Sequence, residues 1–228
     1  MYLLHIANKN YSSWSVRPWV LMRELDIPFE ERLTPFPTGS SWDLYRPFSP
    51  NGQVPCLIDD GWAVWDSLAI AEYLAERHHG VWPVEAKARS WARCAAAEMH
   101  SSFSALRNDC TMNCGVRVRP FPMSDTLKRD LFRLGDLWND GLSRFGGPFL
   151  AGGSFTAVDA FFAPVAFRVQ TYGLSFEGAA AAYPARLLGL PAMQDWYQAA
   201  LIETWREPEH EAEVAAAGTM LEDLRLRA

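Results

Sequence analysis

Short apolar runs alternate with helical stretches over roughly the first third of the chain, and Pro and Gly punctuate the junctions between them. This texture is typical of an α/β domain. The predicted strands are residues 2–7, 29–34, 56–59 and 62–64, and the predicted helices or helical turns are residues 15–25, 42–46 and 67–78. The order of elements is therefore β-α-β-α-β-β-α.

The connections between these elements predict how the strands pair. Asp60-Gly61 separates the last two strands and supplies the positive φ angles of a type I′ turn, so these strands should form an antiparallel hairpin. A helix joins the first two strands, which should therefore be parallel with a right-handed crossover. A small mixed sheet of four strands follows.

From about residue 85 onward the pattern changes to helical periodicity, and the pattern typical of strands ends. Apolar residues recur at intervals of three and four, as in Ala88, Trp91, Ala92, Ala95, Met99, Phe103 and Leu106. Gly80 and Pro83 end the preceding helix, which predicts two domains over residues 1–80 and 86–228. Thr156 and Asp159 have the spacing of a capping box at the start of a later helix.

Composition and charge exclude several classes of function. The formal net charge of −6 gives no basic stripe that could neutralise a phosphate backbone, so nucleic acid is not expected as a partner. No apolar run is long enough to cross a bilayer, and the N-terminus lacks the features of a secretion signal. The four cysteines fit neither a disulfide framework nor a zinc-site spacing. We therefore expect a reduced, cytoplasmic protein without a metal.

The first stretch whose residues suit a chemical role follows the first strand and opens the first helix. There Ser12 and Ser15 have the spacing of a CxxC pair, beside the unpaired N–H groups and positive dipole end of the helix. Serine cannot ionise in this position, but its hydroxyl can donate a hydrogen bond to a thiolate that a substrate brings in. The alternative is that these serines, with Ser13, only cap the helix.

The second stretch is the polar loop that leads into the third strand, and it contains Val54-Pro55. A cis bond at this proline would leave the Val54 N–H and C=O exposed as an edge that can pair with an extended peptide ligand. The alternative is an ordinary trans proline at the start of a strand.

The third stretch, Asp66-Ser67, opens the third helix. The helix N–H groups and the Ser67 hydroxyl suit a carboxylate, whereas Asp66 supplies a counter-charge for an ammonium group. Together they suit an amino-acid head group. An N-cap with an acidic first turn would explain the same residues.

In this order and spacing, the three stretches resemble the N-terminal domain of the glutathione transferase superfamily, and the resemblance covers nearly the whole chain. It implies a thioredoxin-like α/β N-terminal domain and an all-α C-terminal domain that carries the capping box. The segment from Ser12 to Arg17 is similar to the zeta class, which includes maleylacetoacetate isomerases. That class has a cysteine where this chain has Trp14, so a bacterial-type transferase fits better.

The resemblance also implies a function and roles for particular residues. Glutathione would be the co-substrate, and a serine hydroxyl would stabilise its thiolate for attack on a small hydrophobic electrophile. Ser12 is the first choice for this hydroxyl, Ser13 the close alternative and Tyr11 a third. The residues expected to bind the rest of glutathione are Gln53, Val54, Pro55, Asp66 and Ser67.

The electrophile would lie between the two domains, against Trp14, Arg107, Cys110 and Asn113. The resemblance also implies that the protein forms a homodimer. Two alternatives stay open: an isomerase of the maleylacetoacetate type, and a binding module that has lost catalysis. Thiol–disulfide exchange is disfavoured because Ser12 and Ser15 occupy the positions where reactive cysteines would be needed.

Overall fold

The computed structural model describes residues 1–226, and its first part is a four-stranded mixed sheet with helices packed on it. The sheet has the order β2-β1-β3-β4, with β1 and β2 parallel and the other neighbours antiparallel, as the connections predict. Its elements are β1 (Tyr2–Ile6), α1 (Val16–Glu24), β2 (Phe29–Leu33), α2 (Trp42–Tyr45), β3 (Cys56–Asp59), β4 (Trp62–Val64) and α3 (Ser67–Ala75).

The turn between β3 and β4 confirms the hairpin that the sequence predicts. Asp60 has a φ of 46° and Gly61 a φ of 84°, both in the left-handed region that a type I′ turn requires. The register pairs Asp59 with Trp62 and Leu57 with Val64. Leu57 and Val64 are buried, so this face of the hairpin belongs to the core beneath the helices.

The remainder of the described chain is mainly helical, as predicted. Its helices are α4 (Ala86–Ser101), α5 (Ser104–Asp109), α6 (Asp125–Phe145), α7 (Ala157–Tyr172), α8 (Tyr183–Leu188), α9 (Pro191–Ile202) and α10 (Pro208–Ala217). The helical face predicted from Ala88 to Leu106 is divided between α4 and α5, because Phe103 adopts a left-handed φ of 59°.

A two-stranded sheet in the second half is a feature that the sequence analysis missed. β5 (Val116–Pro120) pairs antiparallel with β6 (Gly218–Asp223). Gly218 is required here by close approach, since a Cβ at this position would lie 2.3 Å from the Arg119 carbonyl oxygen. The sheet fastens the C-terminal segment to the middle of the chain.

Helix α7 runs through the centre of the helical half, and its start confirms the predicted role of Asp159. The Asp159 carboxylate is buried and accepts the Thr156 N–H at 3.0 Å, which is the acidic half of the capping box. It also accepts the Leu150 N–H at 3.0 Å and the Tyr183 hydroxyl at 2.8 Å. One carboxylate thus joins the α7 N-terminus, the preceding loop and α8.

The two halves pack directly on each other, with α1 against α7 and α9. The Ala157 N–H donates to the Val81 carbonyl at 2.8 Å, and the Trp196 indole N–H donates to the Lys9 carbonyl at 2.9 Å. The junction predicted between residues 80 and 86 lies between α3 and α4, and the division into two domains there stays a prediction. Within residues 1–226, each helix is too short or too polar to cross a bilayer.

Candidate active site

A cavity of about 720 Å³ lies where the first half meets the helical half. It is lined by the loop between β1 and α1, the loop before β3, the start of α3, and parts of α4, α5, α7 and α10. Of the site residues predicted from sequence, Ser12, Ser13, Trp14, Gln53, Val54, Pro55, Asp66 and Arg107 line this cavity.

Ser12 lies at the cavity wall, and its side chain is almost fully buried. The Ser12 Oγ donates a hydrogen bond to the Ser15 Oγ at 2.7 Å, and the Ser15 Oγ accepts the Ala7 N–H at 3.3 Å. The Ser15 side chain makes no capping bond to α1, so the structure does not support the simple capping role. Ser13 also lines the cavity, and its hydroxyl has no hydrogen-bond partner within residues 1–226.

The Tyr11 hydroxyl is engaged elsewhere. It donates to the Glu211 carboxylate at 2.8 Å and accepts a hydrogen bond from Arg225, which binds the same carboxylate. Burial is the main cause that raises the pKa of Tyr11 well above its ordinary value, and the hydrogen bond to Glu211 adds to it. These contacts hold the phenol neutral and tie the loop before Ser12 to the C-terminal segment.

The loop before β3 presents an open backbone edge to the cavity. The Val54-Pro55 bond is cis, as the sequence suggested. No backbone hydrogen bond connects Val54 to any other part of the described chain. The Gln53 N–H donates to the Asn51 side chain at 3.1 Å, and Gly52 packs under Trp42, where a Cβ would lie 2.6 Å from the indole ring. Helix α2 therefore holds this loop in place.

Asp66 and Ser67 behave differently from each other. Asp66 lines the cavity and caps α3, since its carboxylate accepts the Leu68 N–H at 2.8 Å. The second Asp66 oxygen lies 3.3 Å from His100 Nε2 on α4. Ser67 is fully buried outside the cavity lining, and its Oγ has no partner within residues 1–226.

Two of the residues predicted for the electrophile side, Cys110 and Asn113, do not line the cavity. Helix α5 ends at Asp109, and the chain then turns inward, so both side chains are buried. The Asn113 amide donates to Glu211 at 3.1 Å, and burial raises the pKa of the Cys110 thiol to about 12. Asn108, Thr111 and Met112 take their place on the wall.

The sequence analysis also missed several wall residues that come from distant parts of the chain. His100 lies on α4, Arg168 on α7, and both His210 and Glu213 on α10. Burial, opposed by Asp66, lowers the pKa of His100, which favours a neutral imidazole at physiological pH. Nothing in the local sequence around these residues marks them, because each reaches the cavity through packing of its helix.

The fold and the cavity define a thioredoxin-like domain followed by a helical domain, with a serine hydroxyl and an open backbone edge at the junction. The family model of the glutathione S-transferase N-terminal domain matches residues 11–77, and that of the C-terminal domain matches residues 117–199. The chain belongs to the glutathione S-transferase superfamily.

Comparison with individual proteins gives higher identity over a short segment than over most of the chain. A dichloromethane dehalogenase from Methylorubrum extorquens is 39% identical over 61 residues, which are 26% of this chain and 21% of that protein. The chain thus matches about a fifth of the length of that relative.

Solved structures resemble the fold over most of the chain. One is a glutathione transferase homolog from Burkholderia with bound glutathione, with a TM-score of 0.63, 22% identity, and coverage of 86% of this chain and 96% of that chain. Another is a theta class glutathione S-transferase from Xanthomonas axonopodis pv. citri with glutathione bound. Its TM-score is 0.63, its identity 23%, and its coverage again 86% and 96%.

Proposed function

We propose that this chain is a glutathione transferase in which the Ser12 hydroxyl stabilises the thiolate of glutathione for attack on a small electrophile. The observation that carries the proposal is that Ser12 and the unpartnered backbone of Val54 line the same cavity. Membership of the superfamily supports it, as do the two similar structures that contain glutathione.

The open edge at Val54 suits the peptide backbone of glutathione. Its N–H and C=O can pair with the cysteinyl residue by strand addition, with Gln53 and Pro55 on either side. The Asp66 carboxylate would attract the γ-glutamyl ammonium group. Ser67 would donate to the γ-glutamyl carboxylate after its buried hydroxyl turns toward the cavity. In this arrangement the thiol of glutathione would lie on the Ser12 side of the cavity.

Ser15 would help Ser12 to donate. A hydroxyl rotates about its C–O bond, so the 2.7 Å pair can reverse direction, with Ser15 donating to Ser12 and the Ser12 proton turned toward the sulfur. The Ala7 N–H already donates to Ser15, which makes a chain of donors that ends at the thiolate. A hydrogen bond to a charged group contributes about 1.5 to 3 kcal/mol, equivalent to roughly one to two pKa units on the thiol.

The reaction would be nucleophilic attack by the sulfur. A carbon–sulfur bond forms, and the leaving group departs with its electron pair. The likeness to a dichloromethane dehalogenase over 61 residues favours halide as one leaving group. Turnover of a double-bond isomer without net consumption of glutathione would instead favour the isomerase alternative. Glutathione binding without turnover of any electrophile in a broad panel would favour the binding module.

We expect glutathione to stabilise the fold, because it would satisfy the open Val54 edge and the Ser67 hydroxyl. A ligand at about 100 times its dissociation constant adds roughly 2.7 kcal/mol, which corresponds to a rise of about 5 to 10 °C in the unfolding midpoint of a chain of this size. Thermal unfolding with millimolar glutathione measures this. An equimolar mixture of glutamate, cysteine and glycine is the control, and an equal shift with that mixture would argue against a peptide site.

We expect Asp66→Asn to weaken glutathione binding by about tenfold, close to 1.4 kcal/mol, with little change in turnover of the bound complex. Asparagine still caps a helix, so the change removes mainly the charge that faces the ammonium group. Calorimetric titration and steady-state kinetics measure the two effects separately. Glu72→Gln on α3 is the matched control, since Glu72 is half-exposed, lies outside the cavity lining and pairs with Arg93. Reduced turnover with unchanged affinity would contradict the placement of Asp66.

A further inference from the structure

Three guanidinium groups converge on the electrophile side of the cavity, from three different helices. Arg107 of α5 and Arg168 of α7 line the cavity wall. Arg17 of α1 lies behind Trp14, with its guanidinium carbon 4.1 Å from the indole centroid, and that of Arg107 lies 4.6 Å from the same ring. Like charges on one side of a cavity repel each other, so the cluster needs an explanation.

Arg17 is the least compensated member of this cluster. It is 1% exposed, and its Nε and Nη1 are buried with no hydrogen-bond acceptor within residues 1–226. Burial, reinforced by Arg107 and Arg168, lowers the pKa of Arg17 well below its ordinary value, and Asp66 opposes this only in part. A buried charge without a partner is costly, so a residue of this kind is expected where an anion supplies the missing charge.

Arg107 and Arg168 are held in place by backbone carbonyls and not by carboxylates. The Arg168 Nε donates to the Cys110 carbonyl at 2.8 Å and its Nη1 to the Pro164 carbonyl at 3.2 Å. The Arg107 Nε donates to the Ser102 carbonyl at 3.0 Å, and its Nη2 donates to the carbonyls of Met99 and His100.

Each of these side chains therefore keeps one terminal nitrogen without an acceptor in the described chain: Nη1 of Arg107 and Nη2 of Arg168. The three arginines form no ion pair with a carboxylate of residues 1–226. Two carboxylates do line the cavity, but Asp66 is engaged with His100, and Glu213 lies on α10 beyond ion-pair distance of the cluster. Fixed guanidinium groups with free donors suit a carboxylate, which accepts two parallel hydrogen bonds.

We infer that the electrophile is an acid, whose carboxylate binds between Arg107 and Arg168 with Arg17 behind them, while its reactive carbon faces the Ser12 side. This inference rests on the proposed transferase function. It changes the expected substrate class from small hydrophobic electrophiles to anionic ones. Arg168 lies on α7, where its Nε donates to the Cys110 carbonyl and its charge acts on Arg107.

The test compares 4-chloro-3-nitrobenzoate with its uncharged partner, 4-chloro-3-nitrobenzamide. In both, the glutathione sulfur attacks the ring carbon, a carbon–sulfur bond forms and chloride leaves with the electron pair. The ratio of kcat/KM for the acid to that for the amide is divided by the ratio of the uncatalysed rates. We expect this corrected ratio to exceed tenfold in the parent protein and to fall at least tenfold in Arg107→Gln and Arg168→Gln.

Control variants distinguish loss of the carboxylate subsite from a general loss of structure or activity. Arg117→Gln removes a guanidinium that is also bound by carbonyls but contacts Tyr197 outside the cavity, and it should leave the ratio unchanged. Arg168→Lys keeps the charge and should retain part of the preference if Arg168→Gln fails to fold. A corrected ratio near one in the parent protein would overturn the inference. So would a loss of glutathione affinity in Arg107→Gln with the ratio intact, because the arginines would then serve glutathione.

If neither compound is turned over, the broad panel of electrophiles tests the transferase function, and binding of unreactive compounds still tests the subsite. The unreactive pair 3-nitrobenzoate and 3-nitrobenzamide would then be titrated with glutathione present, using quenching of tryptophan fluorescence. At least tenfold tighter binding of the acid, lost in Arg107→Gln, would support the subsite. Equal binding of the two compounds would reject it.

Discussion

Replacing Asp159 with alanine is expected to lower the free energy of unfolding by roughly 4 kcal/mol or more, because each buried donor left without its acceptor costs about 1 to 3 kcal/mol. The Asp159 carboxylate accepts hydrogen bonds from the N–H groups of Leu150 and Thr156 and from the Tyr183 hydroxyl. Urea unfolding followed by tryptophan fluorescence measures the loss. Tyr183→Phe is the control, since it removes one donor and should cost about 1 kcal/mol. Equal losses in both variants would contradict the central role of the carboxylate.

The same carboxylate gives a pH dependence with a definite sign. Burial, opposed by the hydrogen bonds from Leu150, Tyr183 and Thr156, raises the pKa of Asp159 to about 6. Because an unfolded aspartate titrates near 4, the folded state binds more protons between about pH 4 and pH 6. The contribution of Asp159 to stability therefore falls as the pH rises through this window, by roughly 3 kcal/mol at most, and is constant above it. Asp159→Asn should lack this slope.

Ser12→Ala is expected to raise the pKa of the bound glutathione thiol by about one to two units and to lower kcat/KM at neutral pH by roughly 10- to 100-fold. Only the ionised sulfur gains from the Ser12 hydrogen bond, so the affinity for glutathione should change little. The ultraviolet absorbance of the thiolate, followed against pH with glutathione bound, measures the shift directly.

Three further variants locate the donor. Ser15→Ala should give a smaller shift, because it removes only the second hydroxyl of the chain. Ser13→Ala tests the neighbouring register, and a shift confined to that variant would move the donor by one residue. Tyr11→Phe should leave the thiol titration unchanged, since its hydroxyl binds Glu211. If all of these variants titrate like the parent protein, the proposed mechanism fails.

The features that the sequence predicted correctly are those that depend on residues close together in the chain. The Asp60-Gly61 turn, the strand pairing around it and the acidic cap at Asp159 all depend on chemistry within a few positions. The position of two loops in the cavity wall also depends on local sequence, because the loop at Ser12 follows a strand of the sheet and the loop at Val54 precedes one. Sheet topology then brings these loops together.

The features that were missed depend on contacts between distant residues. Val116 and Val118 alternate with Arg117 and Arg119, which is a strand pattern, but its partner β6 lies about a hundred positions later. The inward turn after Asp109 buries Cys110, which the family resemblance had placed on the electrophile side of the site. The arginine cluster at the cavity is of the same kind, because α1, α5 and α7 each contribute one member.

The contacts of Tyr11 have a consequence for the order in which the protein can become active. A ribosome releases the Ser12 loop early, whereas Arg225, which binds both Tyr11 and Glu211, follows Tyr11 by 214 positions. Helix α10, which supplies His210 and Glu213 to the cavity, is also made late. N-terminal regions fold first during synthesis, so the sheet can form well before its cavity is closed. A nascent chain would thus carry the Ser12 loop without the groups that hold it until helix α10 and Arg225 have been made.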